Sequence, residues 1–283
     1  MKPFSLMNAT LAPGLYIVAT PIGNLGDLTP RAAAVLIHAS VLCVEDSRVT
    51  GKLLNHLGVK RPMTPYHDHN ADSVRPGLIA RMGNDSVALV SDAGTPLISD
   101  PGYKLVREAR LAGHSVFTVP GACAAIAGLT LAGLPTDRFL FGGFLPSKAK
   151  AKADAIADLA HVPATLVFYE SGPRLGATLA ALREVLGDRE AAVARELTKA
   201  YEECVTGTLT TLAKRYADAP PKGEIVVLVG PPAVREVAID CDAALRDALS
   251  RLPPGRAASE VAEATGLDRR TLYARALELK GAA

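Results

Sequence analysis

Ser86-Val87-Ala88-Leu89-Val90-Ser91-Asp92-Ala93-Gly94-Thr95-Pro96-Leu97-Ile98-Ser99-Asp100-Pro101-Gly102 is the stretch on which the fold turns. It opens as an unbroken apolar run, the pattern of a strand covered on both faces. It continues as a polar loop of twelve residues, 91–102, with two Asp, two Gly and two Pro. A plain strand-to-helix connection needs only about 2–6 residues, so a loop this long and stiff points to a use beyond connection. Asp100-Pro101 also suits a helix start, a carboxylate cap ahead of a proline at the first position.

The same grammar recurs on either side. Residues 15–20, 41–45, 86–91 and 115–119 read as strands, and 31–38, 49–57, 74–82, 103–112 and 124–132 as helices. Strands alternating with helices predict an α/β unit with a mostly parallel sheet. Beyond Gly133-Leu134-Pro135 a second set follows: strands at 139–144, 164–170, 190–195, 201–206 and 224–230, helices at 174–186 and 208–217. Residues 146–155, with Lys148, Lys150 and Lys152 among alanines, read as a basic loop or helix start. After Pro231-Pro232 the pattern is helical, at 242–252, 257–265 and 268–279. The expected organisation is an N-terminal α/β domain over 14–135, a second α/β domain over 136–235 and a helical appendage over 236–283.

Composition narrows the classes. The 283 residues are 49% hydrophobic and 21% charged, a globular balance. No apolar run reaches the roughly 18–20 residues of a membrane helix. The nearest, 116–134, is broken by Pro120, Gly121, Gly128 and Gly133, so no membrane is expected. Residues 1–13 resemble neither a secretory signal nor an arginine-rich transit peptide. Cys43, Cys123, Cys204 and Cys241 form no C-x-x-C pair and read as small buried hydrophobes, which suits a reducing cytoplasm. With a net charge of +2, any nucleic-acid surface must be a local patch. No G-x-S-x-G elbow or Walker loop is present. His67 and His69 flank Asp68 and would share one face of a strand, as metal ligands do. No further ligand follows at suitable spacing, so polar contacts in a cleft are the better reading and no metal is expected.

Three more loops follow strands. Thr20-Pro21-Ile22-Gly23-Asn24-Leu25-Gly26 has G-x-x-G rather than dinucleotide spacing, and reads as a ligand loop or a tight turn. Glu45-Asp46-Ser47-Arg48 puts acidic residues at a strand end, where they bind ribose hydroxyls or cap the next helix. Pro120-Gly121-Ala122-Cys123 leads into a small-residue helix, suited to a flat ligand or to close packing. In open α/β sheets ligands bind beyond the carboxyl ends of the strands, and four such loops at one end make a pocket. From the second set, Tyr169-Glu170-Ser171-Gly172-Pro173-Arg174, Ala194-Arg195-Glu196-Leu197-Thr198-Lys199 and Lys222-Gly223-Glu224 place charges where a cleft against the first domain would lie; structural ion pairs are the alternative.

These segments, in this order, resemble the tetrapyrrole methylase superfamily over nearly all of residues 14–280, together with His67–Asn70, Gly133–Phe139 and Gly143–Pro146. The resemblance implies S-adenosylmethionine bound between two α/β domains. Within the superfamily, 91–102 and 194–199 are similar to the branch that methylates the ribose 2′-oxygen of a decoding-region cytidine in 16S rRNA, presented within the small ribosomal subunit, and that forms homodimers. Carried over by motif, Pro21, Gly23, Asn24, Asp92, Ala93, Gly94, Ser99, Asp100, Pro120, Gly121 and Ala122 would bind the cofactor. Asp46, Arg48, His67, His69, Arg174, Arg195, Arg269 and Arg270 would serve the substrate. A 2′-hydroxyl is a weak nucleophile, and Lys199, Glu170 and Glu196 are the catalytic candidates, the lysine on condition that burial lowers its pKa. Relatives often carry a histidine just before the position of Arg174; Pro173 stands here, so no base can come from that site. Tyr66, Phe144 and Tyr169 are the aromatics available to stack a base. Ala262, Gly266 and Leu272 have helix-turn-helix spacing, with Arg269, Arg270 and Arg275 nearby; phosphate contact and a plain packed appendage both fit. A tetrapyrrole C-methyltransferase and a non-catalytic RNA-binding assembly factor remain as alternatives.

Overall fold

The computed structural model describes residues 10–233 and 240–281, so residues 1–9 and the expected junction at 235/236 lie outside the described residues. Strands β1 (Gly14–Val18), β2 (Val41–Val44), β3 (Thr64–Pro65), β4 (Ser86–Val90) and β5 (Val116–Val119) form an all-parallel sheet in the order β3-β2-β4-β1-β5. Every residue of β2 and β4 is buried, as their continuous apolar runs require. Alternate residues feed two cores. Tyr16, Val18, Leu42, Val44, Ala88 and Val90 pack with helices α1 (Pro30–His38) and α2 (Ser47–His56). Leu15, Val41, Cys43, Val87 and Leu89 pack with α3 (Ala71–Arg81) and α4 (Tyr103–Leu111).

Helix α5 (Ala124–Leu131) leaves this sheet for the next one. The second sheet is built from β6 (Phe139–Phe144), β7 (Thr165–Ser171), β8 (Glu190–Arg195), β9 (Glu203–Thr208) and β10 (Glu224–Val229), in the order β6-β7-β10-β8-β9. Only the β6–β7 pair is parallel. Helices α6 (Ala149–Ala157), α7 (Gly172–Leu186) and α8 (Leu209–Arg215) cover one face. Helix α5 covers the other: Leu129 shares a core with Val167, Ala194 and Val226, and a Cβ on Gly128 would lie 3.1 Å from Val226 Cγ1. Ile22 of the first half joins that core, so both sheets belong to one compact unit, Met1–Pro232.

The second unit, Ala233–Ala283, holds α9 (Cys241–Arg251), α10 (Pro254–Thr265) and α11 (Arg269–Gly281) around Leu245, Ala248, Ala257, Val261, Leu272 and Ala276. Gly266 ends α10 in the left-handed region, φ 71°, which a glycine adopts without a Cβ clash. Among the described residues no helix is long and apolar enough to cross a membrane.

Several boundaries differ from the sequence expectation for local reasons. Helix α2 starts two residues early because the Asp46 carboxylate accepts from the Arg48 N–H and caps it. Helix α3 starts at Ala71 and carries Pro76 inside, where the pattern suggested a start at Val74 that would leave the proline in the first turn. Strand β9 begins at Glu203 and runs to Thr208, whose hydroxyl accepts from the Thr211 N–H and starts α8. The basic stretch is helix α6, and its Lys152 is buried, donating to the Thr178 hydroxyl.

Candidate active site

The loops at the carboxyl end of the first sheet are tied to one another. Thr20 and Gly94 exchange backbone hydrogen bonds of 2.8 and 3.2 Å. The Asp46 N–H donates to Asp92 Oδ1 at 3.0 Å, and the Thr95 hydroxyl donates to the Ala122 carbonyl at 2.9 Å. Leu97 and Ser99 hold left-handed backbones at φ 74° and 65°. The other two non-glycine residues of this kind among those described are Glu196 and Thr198, in the loop after β8. Such conformations cost about 1–3 kcal/mol each and persist where the surroundings impose them. Here the two strained loops face the same cleft.

That cleft is a cavity of about 390 Å³, within the range of small-molecule sites. The first half contributes Ile22, Glu45, Ile98 and the 92–95 and 99–100 segments. The second half contributes Phe144, Tyr169, Glu170, Leu197 and 223–226. Three carboxylates of the first half share one direction of shift. Burial pushes Asp100 and Asp92 up, and burial followed by the charges of Asp100 and Asp92 pushes Glu45 up. A cavity that holds three reluctantly ionised carboxylates beside apolar walls suits a ligand bearing positive charge on a largely apolar frame.

Beside the cleft, the second half holds a lysine between two carboxylates. Lys199 Nζ lies 3.0 Å from Glu196 Oε1 and 2.9 Å from Glu224 Oε2. Its stem crosses Gly23 so closely that a Cβ there would lie 2.4 Å from Lys199 Cγ. The Asn24 N–H donates to the Thr198 hydroxyl at 3.1 Å, fastening the same two loops. Burial alone would lower the Lys199 pKa, but the hydrogen bonds to Glu224 and Glu196 outweigh it and the net shift is upward. Lys199 is therefore an ammonium, and the condition on which it could act as a base is not met. The Glu196 carboxyl is held down, chiefly by its hydrogen bond with Lys199, which makes it a weak base. Glu170 is buried and saturated: Oε1 accepts from the Ser171 N–H at 2.8 Å and meets Arg174 Nε at 3.2 Å, while Oε2 accepts from the Thr178 hydroxyl at 2.6 Å. Arg174 also donates to the Leu145 carbonyl at 2.5 Å, so this network braces β7, α7 and the end of β6.

Of the residues assigned to the cofactor from sequence, Asp92, Ala93, Gly94, Ser99 and Asp100 line the cavity. Pro21, Gly23, Asn24, Pro120, Gly121 and Ala122 do not. Gly23 lies under Lys199, Asn24 caps the 3-10 turn at Leu25–Asp27, Gly121 packs on Ala19, and Ala122 receives the Thr95 hydroxyl. Asp46 and Arg48 form an exposed ion pair of 2.5 Å beside Asp92, and the guanidinium holds the Asp46 carboxyl down at about 2. His67 and His69 stand edge to face, 6.0 Å between ring centres, at the end of β3, with His67 Nδ1 buried and without a hydrogen-bond partner among the described residues. No group of three possible metal ligands occurs among the described residues. Arg195 pairs with Glu203 at 3.1 Å. Arg269 and Arg270 are exposed at the start of α11, in the other unit. Thr95, Ile98 and Leu197 line the cavity without having been assigned a role of their own; Glu45, read from sequence only as one of two acidic residues at a strand end, lines it as well.

Comparisons with known proteins agree with this architecture. The family model described as Tetrapyrrole (Corrin/Porphyrin) Methylases matches residues 14–213, and that of the RsmI C-terminal HTH domain matches residues 235–280. A protein of Erythrobacter litoralis named Ribosomal RNA small subunit methyltransferase I is 58% identical over 95% of this chain and 96% of its own length. Its namesake in Mesorhizobium japonicum is 51% identical over 95% and 93%. Among solved structures, uroporphyrin-III-C-methyltransferase from Thermus thermophilus is similar in fold, with a TM-score of 0.55 at 23% identity over 77% of this chain and 94% of that one. A Thermus thermophilus uroporphyrin-III C-methyltransferase complexed with S-adenosylhomocysteine has a TM-score of 0.51 at 21% identity, over 77% and 97%.

Proposed function

Because this chain belongs to the tetrapyrrole (corrin/porphyrin) methylase family, we propose that it transfers a methyl group from S-adenosylmethionine to small-subunit ribosomal RNA, at the ribose 2′-oxygen of a decoding-region cytidine. The observation that carries this reading is the 58% identity to a small-subunit rRNA methyltransferase across both units of the chain. The tetrapyrrole alternative is less well supported, because the tetrapyrrole-methylating structures match at 23% identity or below and cover about three quarters of the chain.

The cavity fits the cofactor on chemical grounds. S-adenosylmethionine, when bound, supplies an electrophilic methyl on a sulfonium and carries an ammonium as well. Glu45, Asp92 and Asp100 provide the negative field for those charges, while Ile22, Ile98 and Leu197 cover the apolar parts. In the transfer the S–CH₃ bond breaks as the O–CH₃ bond forms, and the hydroxyl proton leaves to a carboxylate or to water. Alignment of nucleophile and methyl supplies most of what such a reaction needs. Lys199, an ammonium held between Glu196 and Glu224 beside the cleft, contributes an N–H donor for the developing negative oxygen. Glu170 acts as a positioning residue through Arg174 and Thr178, and Glu196 through Lys199. Asp46, Arg48, His67, His69, Arg174 and Arg195 serve the substrate side, and Arg269 and Arg270 contact RNA phosphates. In this reading the protein works as a cytoplasmic homodimer on assembled subunits.

The test is transfer of labelled methyl from S-adenosylmethionine to small subunits lacking the modification, with naked 16S rRNA and a uroporphyrinogen precursor in parallel. Label in the RNA of subunits supports the reading. Label confined to the tetrapyrrole replaces it.

A further inference from the structure

Phe144 is an exposed phenylalanine on the wall of the cleft, at the end of edge strand β6, and 57% of it is open to solvent. Its position is fixed by a bulge. The β6–β7 register shifts between Phe141 and Gly143. Gly142 presses so closely on Phe168 that a Cβ would lie 2.5 Å from its ring, and Gly143 is left-handed at φ 62°, where a Cβ would lie 3.3 Å from Ser99 Oγ across the cleft. A bulge re-aims the side chain that follows it. The Phe144 ring then meets Tyr169 edge to face, 5.6 Å between centres, and Tyr169 in turn meets Phe141 at 4.8 Å.

The charge of the cavity limits what can share it with the cofactor. Glu45, Asp92 and Asp100 repel phosphate, so an RNA substrate can insert only a nucleoside while its backbone stays outside. A nucleotide whose 2′-hydroxyl reaches into the cleft has left its neighbours, and its base has lost their stacking. The other two aromatic candidates are committed elsewhere: Tyr66 is buried in the core beneath α3 and α4, and the Tyr169 hydroxyl accepts from the Ala125 N–H at 3.2 Å. Four residues beyond Phe144, Lys148 is exposed and makes no ion pair with a described residue, a charge suited to a flanking phosphate.

Resting on the proposed rRNA methylation, we propose that Phe144 is the stacking platform for the base of the target nucleotide and so positions its ribose for transfer. The test compares wild type, Phe144→Ala, Phe144→Leu and Phe144→Trp as full chains. It measures kcat/KM on unmodified small subunits and, separately, calorimetric affinity for S-adenosylhomocysteine. Stacking of one base on an aromatic ring corresponds to a loss of roughly 5- to 150-fold on removal of the ring. That loss is expected for Phe144→Ala and Phe144→Leu, with Phe144→Trp close to wild type and any change in cofactor affinity far smaller than the loss of transfer. Wild-type efficiency in Phe144→Ala overturns the proposal, as does a loss of cofactor affinity that matches the loss of transfer. Either result leaves rRNA methylation standing, whereas a wild-type chain that labels no RNA overturns both.

Discussion

Replacing Asp92 by Asn isolates the charge of the cavity from its shape. The Asp92 Oδ1 atom accepts from the Asp46 N–H at 3.0 Å, and an asparagine oxygen can keep that bond. A sphere of 390 Å³ has a radius of about 4.5 Å, so a cation near its centre lies about 5–6 Å from a wall carboxylate. At an effective dielectric of about 20 that attraction is about 3 kcal/mol, and in bulk water it is below about 1 kcal/mol. The cleft is open on one side, so Asp92→Asn should cost about 1–2 kcal/mol, or about 5- to 30-fold in affinity for S-adenosylmethionine. Calorimetric titration reads this directly. S-adenosylhomocysteine lacks the sulfonium charge and should lose less. Folding should respond in the opposite sense. Burial raises the Asp92 pKa, so the ionised folded state carries a penalty that sets in as pH rises through the unfolded value near about 4 and is complete above the folded one. At neutral pH the variant should therefore melt no lower than wild type. Unchanged affinity for the cofactor would refute the argument, and so would equal losses for the two ligands.

Lowering the pH should weaken cofactor binding as Glu45, Asp92 and Asp100 take up protons, starting above the range of ordinary carboxylates because burial raises all three; titration across pH checks it. Lys199→Arg should keep most of the single-turnover rate while Lys199→Met loses it, because the residue is an ammonium held by Glu196 and Glu224; equal inactivity of the two would restore a lysine base. Glu170→Ala leaves Arg174 and the Lys152–Thr178 pair without their carboxylate, and urea unfolding should show a loss of about 2–4 kcal/mol, less than for a fully buried pair because Arg174 is partly exposed. Arg269→Ala with Arg270→Ala should weaken subunit binding and reduce its salt dependence by about one unit of slope for each phosphate no longer neutralised, while leaving cofactor affinity unchanged.

The first sheet was legible because β2 and β4 are buried on both faces and their sequences say so without interruption. The second sheet was legible as strands but not as directions. Residues 224–229 are as apolar as a parallel strand, yet β10 runs antiparallel to both of its neighbours, a fact set by tertiary pairing. The seat of α5 was hidden for a related reason: its residues are small or apolar on all sides, so no stripe shows which sheet it covers. At the candidate site, the 91–102 loop announced itself by length and composition. The state of Lys199 did not, because Glu224, twenty-five positions further on, helps decide it. Gly23 and Gly121 read as ligand-facing glycines, yet one makes room for a lysine stem and the other for Ala19. The need for a glycine is visible in sequence, but the neighbour that imposes it is not.

Nucleoside analysis of small-subunit RNA reads the methyl transfer at its site. Unmodified subunits are incubated with the protein and S-adenosylmethionine, and their RNA is digested and examined by mass spectrometry. One new 2′-O-methylcytidine per subunit is expected with the wild-type chain and much less with Phe144→Ala or Lys199→Met. A methyl group found on a base, or no new methylated nucleoside while a tetrapyrrole precursor is consumed, would contradict it.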